Sequence, residues 1–189
     1  MAIVDPSFEL PVVTGFSLNS PQGWTGTGGS VWVVRSGSNN LGGIVASDGK
    51  QLTGLQANGA SIQQAVRFSA GSTYALTFYA ASRYDGLAAL TVTVGVSSLT
   101  VAQPLQTKSM MAIYTMRFVA DVTANAITFS NTCGSYCYNM VLLDSVTLQL
   151  GKLATFCKLT SISYSSLFLH VYLHFRCVCE VSTNASGNC

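Results

Sequence analysis

Charge is what this 189-residue chain has least of: Lys, Arg, Asp and Glu together make up 8% of it, against roughly 25% in an ordinary soluble domain. The nine basic residues stand singly along the sequence. No stripe of them could neutralise a row of phosphates, so a nucleic-acid partner is not expected. Histidine is almost missing as well. The only two, His170 and His174, come late in the chain, and residues 1–150 hold no imidazole that could activate a Ser or Cys nucleophile. The scattered acids suggest no pair facing one glycosidic bond, and the Gly-rich "GTGGS" at 26–30 lacks the Lys and the following helix of a phosphate loop. An enzyme is not expected. Nor is there a long apolar run. The uncharged stretch from Leu159 to Phe175 is too short for a membrane-spanning helix, and "MAIVDPSFEL" has neither the basic start nor the apolar segment of a signal peptide.

What the chain does have is hydroxyls, glycines and alternation. In "TYALTFYAAS", residues 73–82, Tyr74, Leu76, Phe78 and Ala80 share one face while Thr73, Thr77 and Tyr79 share the other, the period of a half-buried strand. Leu90, Val92 and Val94 repeat the pattern, as do Tyr114, Met116 and Phe118. Further strands are predicted at 31–35, 51–56, 61–68, 98–102, 126–130 and 140–149. "SDGK" at 47–50, "SAGS" at 69–72, "RYDG" at 83–86 and "GTGG" at 26–29 read as turns between them. Short strands with polar turns and no crossover helices predict an all-β fold, an antiparallel β-sandwich of jelly-roll type.

Charge and cysteine divide the chain near Gly151. Before it, Arg35, Lys50, Arg67, Arg83, Lys108 and Arg117 balance Asp5, Glu9, Asp48, Asp85, Asp121 and Asp144; after it, Lys152, Lys158 and Arg176 against Glu180 supply the net +2. Cys133 and Cys137 fall before the division, and Cys157, Cys177, Cys179 and Cys189 after it. Residues 1–150 therefore read as one domain and 151–189 as an atypical apolar tail. The tail has two readings: an unstructured or mis-annotated extension, since Gly151–Lys152 can be encoded by GGT-AAG, the shape of an intron border, or an interaction segment that pairs with a sheet edge.

Several segments in order, "DPSFELP", "GWTGTGG", "SDGKQLTGLQANGASIQQAV", "FSAGSTYALTFYAASR" and "VLLDSVTL", resemble the galactose-binding-like jelly rolls, a group that includes carbohydrate-binding modules and the cell-wall proteins classed as DUF642. The resemblance covers residues 4–150. It implies a secreted, non-catalytic, extracellular or cell-wall protein whose partner is a polysaccharide or glycan. It also implies a structural Ca2+ held by Glu9 of "FE" and Asp144 of "DSV", with backbone carbonyls completing a cage of six to eight oxygens. The other reading of these acids is that they face solvent or accept bonds from backbone N–H groups at strand ends.

Sugar binding calls for aromatic faces and a few polar groups beside them. Trp24, Trp32, Tyr79, Arg83, Tyr84 and Asp85 are the candidates, with "SRYDG" as binding loop or plain hairpin turn, and Trp24 as ligand contact or core. The resemblance to secreted proteins favours a disulfide between Cys133 and Cys137 over two free thiols. A competing function is a structural or adhesive protein, because low charge weakens repulsion between copies and permits self-association.

Overall fold

The computed structural model describes residues 2–83, 88–101, 110–134, 139–151, 157–164 and 171–177. The chain divides into two compact units, Met1–Gly151 and Lys152–Cys189. In the first, β1 (Phe16–Ser17), β3 (Ser30–Arg35), β4 (Gln51–Gln56), β6 (Thr73–Ser82), β9 (Ala112–Val119) and β11 (Met140–Leu150) build a six-stranded sheet in the order β1-β3-β4-β11-β6-β9. The others, β2 (Thr25–Thr27), β5 (Ser61–Ala65), β7 (Leu90–Val94), β8 (Ser97–Val101) and β10 (Ala126–Asn131), form a five-stranded sheet in the order β2-β5-β10-β7-β8. Every pairing is antiparallel. This is the all-β sandwich the alternation predicts. In the second unit β12 (Cys157–Tyr164) and β13 (Val171–Cys177) form an antiparallel hairpin. Among the described residues no helix is long and apolar enough to cross a membrane.

The two sheets enclose one core because their alternating apolar residues face each other. Leu76, Phe78, Ala80 and Met116 from the first meet Ile62, Leu90, Val92, Ile127 and Phe129 from the second, and the Phe78 and Phe129 rings pack edge to face with centroids 5.1 Å apart. Two strands were not predicted, and β5 ends at Ala65 rather than at 68. The "GTGG" stretch read as a turn lends Gly26 and Thr27 to β2, which pairs with β5, and β1 is too short to leave a periodic trace.

A second apolar cluster lies on the outer side of the six-stranded sheet. Val34, Leu52, Ala81, Met140 and Leu142 are buried there beneath Leu41 and Ile44, which belong to the connection between β3 and β4 and its single 3-10 turn at Asn39–Leu41. This connection roofs the sheet. It explains why β4 and the first half of β11 are buried on both faces rather than alternately.

Along β11 the alternation is interrupted. The register with β6 shifts between Asp144 and Thr147, and Ser145 between them takes φ 50°, a bulge that adds one residue and turns the following side chains over. The simple period places Asp144 with Leu142, Val146 and Leu148. In the structure it shares the outer face with Leu142, whereas Val146 and Leu148 pack on the main core.

Candidate functional site

Glu9 and Asp144 grip the same turn. The Asp144 carboxylate, fully buried, accepts from Ser47 N at 2.7 Å, Ser47 Oγ at 2.8 Å and Asp48 N at 2.9 Å on Oδ2, and from Ser145 N at 2.7 Å on Oδ1. Glu9 Oε1 takes the next amides, Lys50 N at 2.9 Å and Gln51 N at 2.8 Å. Gly49 sits between the two grips at φ 69°, where a Cβ would run into Glu9 Oε1. The first and last parts of the domain do meet here, Val146 N donating to Pro6 O at 2.8 Å. Burial, acting against these hydrogen bonds, pushes the Asp144 carboxyl up to about 6.

This donor set does not fit the calcium cage implied by the resemblance. A cation needs oxygen lone pairs aimed at a common point, and three of the four carboxylate oxygens of Glu9 and Asp144 are aimed at N–H groups. Among the described residues no group of three or more His, Cys, Asp or Glu side chains is placed to hold a metal ion. The arrangement fits the other reading, carboxylates satisfying the amides of a turn.

A groove opens at one end of the outer face of the six-stranded sheet. Its cavity is about 200 Å³ and is lined by Phe16, Trp32, Gln56, Arg83, Ser38 and Met140, with Val34 and Leu41 deeper in. Sheet register assembles it. Phe16 is paired with Val34, Gln56 with both Ser30 and Met140, and Arg83, just beyond β6, donates its backbone N–H to Met140 O at 3.0 Å. The roof supplies Ser38 and Leu41. The Phe16 and Trp32 rings meet edge on at 5.6 Å, and Trp32 Nε1 donates to Gln56 Oε1 at 2.9 Å, which fixes the indole while Phe16 stays 59% exposed.

Of the residues singled out from the sequence, Trp32 and Arg83 are brought together in this groove. Tyr79 is half-buried on the same outer face of β6, across from Asp144 and Ile113, and is not part of the lining. Trp24 is a correction to the ligand-contact reading: it is buried against Phe8 and Phe129, with Nε1 donating to Val4 O at 3.0 Å. Its polar edge is satisfied inside, so nothing holds it at the surface. Tyr84, Asp85 and Cys137 lie outside the described residues; Cys133 is disulfide-bonded. Phe16, Gln56 and Met140 were not singled out, because only strand register reveals that they neighbour Trp32.

A family model described as "Protein of unknown function (DUF642)" matches residues 7–149. The chain belongs to that family. No match was found among curated proteins. Among solved structures, the DUF642 domain superposes on the CBM22-1 xylan-binding domain of Xyn10C from Paenibacillus barcinonensis with TM-score 0.50 and 17% identity, over 78% of this chain and 93% of that one. The CBM22-1–GH10 modules of Clostridium thermocellum xylanase Xyn10B, complexed with xylohexaose, give TM-score 0.50 and 10% identity over 72% of this chain and 27% of the other. The enzymatically active domain of tailspike protein 4 from bacteriophage CBA120 gives 0.51 and 13%, over 78% of this chain; the match spans only 21% of the tailspike chain. At these identities the likeness establishes the β-sandwich fold and nothing finer.

Proposed function

We propose that this DUF642 domain is a non-catalytic module of a secreted protein that binds an extracellular or cell-wall polysaccharide in the groove beside Trp32. The observation that carries the reading is the groove's make-up: a partly exposed indole held in place by Gln56, a second ring at Phe16, and polar groups from Ser38, Gln56 and Arg83 around them. An apolar ring face with polar groups at its margin matches the amphipathic surface of a pyranose. Two of the similar folds are xylan-associated modules by name, which supports the substrate class, as the Cys133 disulfide supports an oxidising compartment. We assign Cys137 as its partner.

Affinity electrophoresis and calorimetry against a panel of soluble polysaccharides test the proposal. Saturable binding to at least one glycan is expected, with Trp32→Ala weakening it about tenfold or more, which corresponds to ~1.4 kcal/mol, at an unchanged circular dichroism spectrum. Absence of binding across the panel, or full affinity in Trp32→Ala, overturns it.

A further inference from the structure

The strands that end the two sheets of the sandwich are unequally protected. β1 and β2 are two and three residues long, and β8 has five. β9 has eight, in unbroken register with β6 and without a proline. A long, regular edge of this kind is a template for another strand. Its backbone phase follows from one bond, Ala120 N to Ser72 O at 2.9 Å. The next pair along is Val119 with Thr73, and antiparallel bonding alternates, so Ile113, Thr115, Arg117 and Val119 turn their N–H and C=O groups away from β6. No other described strand lies beside them. The same four side chains are exposed on the outer face of the sheet.

These side chains complement themselves. The large apolar residues left exposed between 110 and 122 are Met110, Ile113, Val119 and Val122, and they stand symmetrically about Met116. We propose that β9 pairs antiparallel with β9 of a second copy of this chain, Met116 lying on the twofold axis. Ile113 then meets Val119 of the second copy, Thr115 meets its Arg117, and Met110 and Val122 lie in line beyond the strand ends. Every outward N–H and C=O of the four residues gains a partner, because odd-numbered positions face odd-numbered ones. Neighbouring registers lose this match. With Thr115 on the axis, Ile113 faces Arg117 and Val119 runs past the start of the other strand; with Arg117 on the axis, two guanidinium groups oppose each other. Residues 1–150 carry six basic and six acidic side chains, so no net charge of the sandwich resists the approach. The two six-stranded sheets become one continuous sheet, a closed isologous contact. None of its residues lines the groove beside Trp32, so the dimer presents two such grooves and binds a polymer with both.

Sedimentation equilibrium of the full chain over a range of concentrations tests the pairing, and it needs no glycan. The wild type is expected to show a monomer–dimer equilibrium. Ile113→Lys, which sets an ammonium against Val119 of the second copy, is expected to weaken the dimer about tenfold or more. Thr115→Glu is expected to tighten it about threefold at low salt, because the new carboxylate lies opposite Arg117 in this register, whereas with Thr115 on the axis two carboxylates would repel. Both positions are exposed, and thermal melting verifies that each variant folds as the wild type does. A wild type that stays monomeric at every concentration, association that Ile113→Lys leaves intact, or a dimer that Thr115→Glu fails to tighten overturns the proposal.

Discussion

The two sheets of the sandwich treat their outer faces differently. In the five-stranded sheet burial alternates along β7 and β10, and Thr91, Thr93, Thr100 and Thr128 form an outward row in which the Thr91 hydroxyl pairs with those of Thr100 and Thr132. In the six-stranded sheet β4 and the first half of β11 are buried on both sides under the β3–β4 connection. A sheet face left to water needs only hydroxyls, whereas a roofed face must satisfy the roof's own amides. That is the task of Asp144 and Glu9, and the edge of the roof is where the groove opens.

The strongest test of this contrast removes the roof's anchor. Asp144→Ala leaves three amides and one hydroxyl without their acceptor, and a loss of about 3 kcal/mol or more is expected in urea unfolding. Thr93→Ala, on the open face, is expected to stay within about 0.5 kcal/mol. Comparable losses from the two would dissolve the distinction.

A smaller effect separates the sheets by pH. Asp144 has a raised folded value, about 6 against 3.8, because burial outweighs its hydrogen bonds. Its neutral form is the better accommodated, so its contribution to stability is full below about pH 4 and falls as pH rises through about 6. Asp121, which bridges the β7–β8 and β9–β10 turns beside the five-stranded sheet, is lowered by the Thr123 hydroxyl and by the Val96 amide. Its contribution is present above 3.8 and is lost as pH falls through its depressed value. Unfolding curves measured from pH 3 to 7 are expected to lose the downward slope between about 4 and 6 in Asp144→Asn, and the acid-side slope in Asp121→Asn. An unaltered profile in either variant refutes the assignment of that slope.

The smallest expected effect is that of calcium. With the oxygens of Asp144 and one of Glu9 committed to amides, adding millimolar calcium or a chelator is expected to move the melting temperature by less than ~1 °C, well short of the several degrees that a tightly bound ion confers. A larger shift would mean that the roof is a metal site after all.

The same contrast governs what could be read beforehand. β6, β7, β9 and β10 were legible because one face meets water and the period of two survives in their residues. β11 was legible as a strand but not in its facing. The bulge at Ser145 turns Val146 and Leu148 onto the opposite side from Asp144, and a serine at positive φ carries no glycine to announce it. Trp32 and Arg83 were visible as chemistry, one an indole in a strand and the other a cation after one. Their meeting was not, since it depends on which strands lie side by side. Trp24 stayed open between two roles for a related reason: an indole suits a binding face and a core edge equally well, and the choice fell to the carbonyls of Val4 and Asp5 that accept its N–H.

Ser47 and Asp144 stand 97 positions apart, and that interval has a consequence for synthesis. A chain emerging from the ribosome exposes the β3–β4 connection long before its anchoring carboxylate exists. Contacts this distant in sequence form late and slowly. The shelter over the tryptophan is therefore expected to close only after Asp144 has emerged, and until then Leu41, Ile44 and Leu52 are open to chaperones.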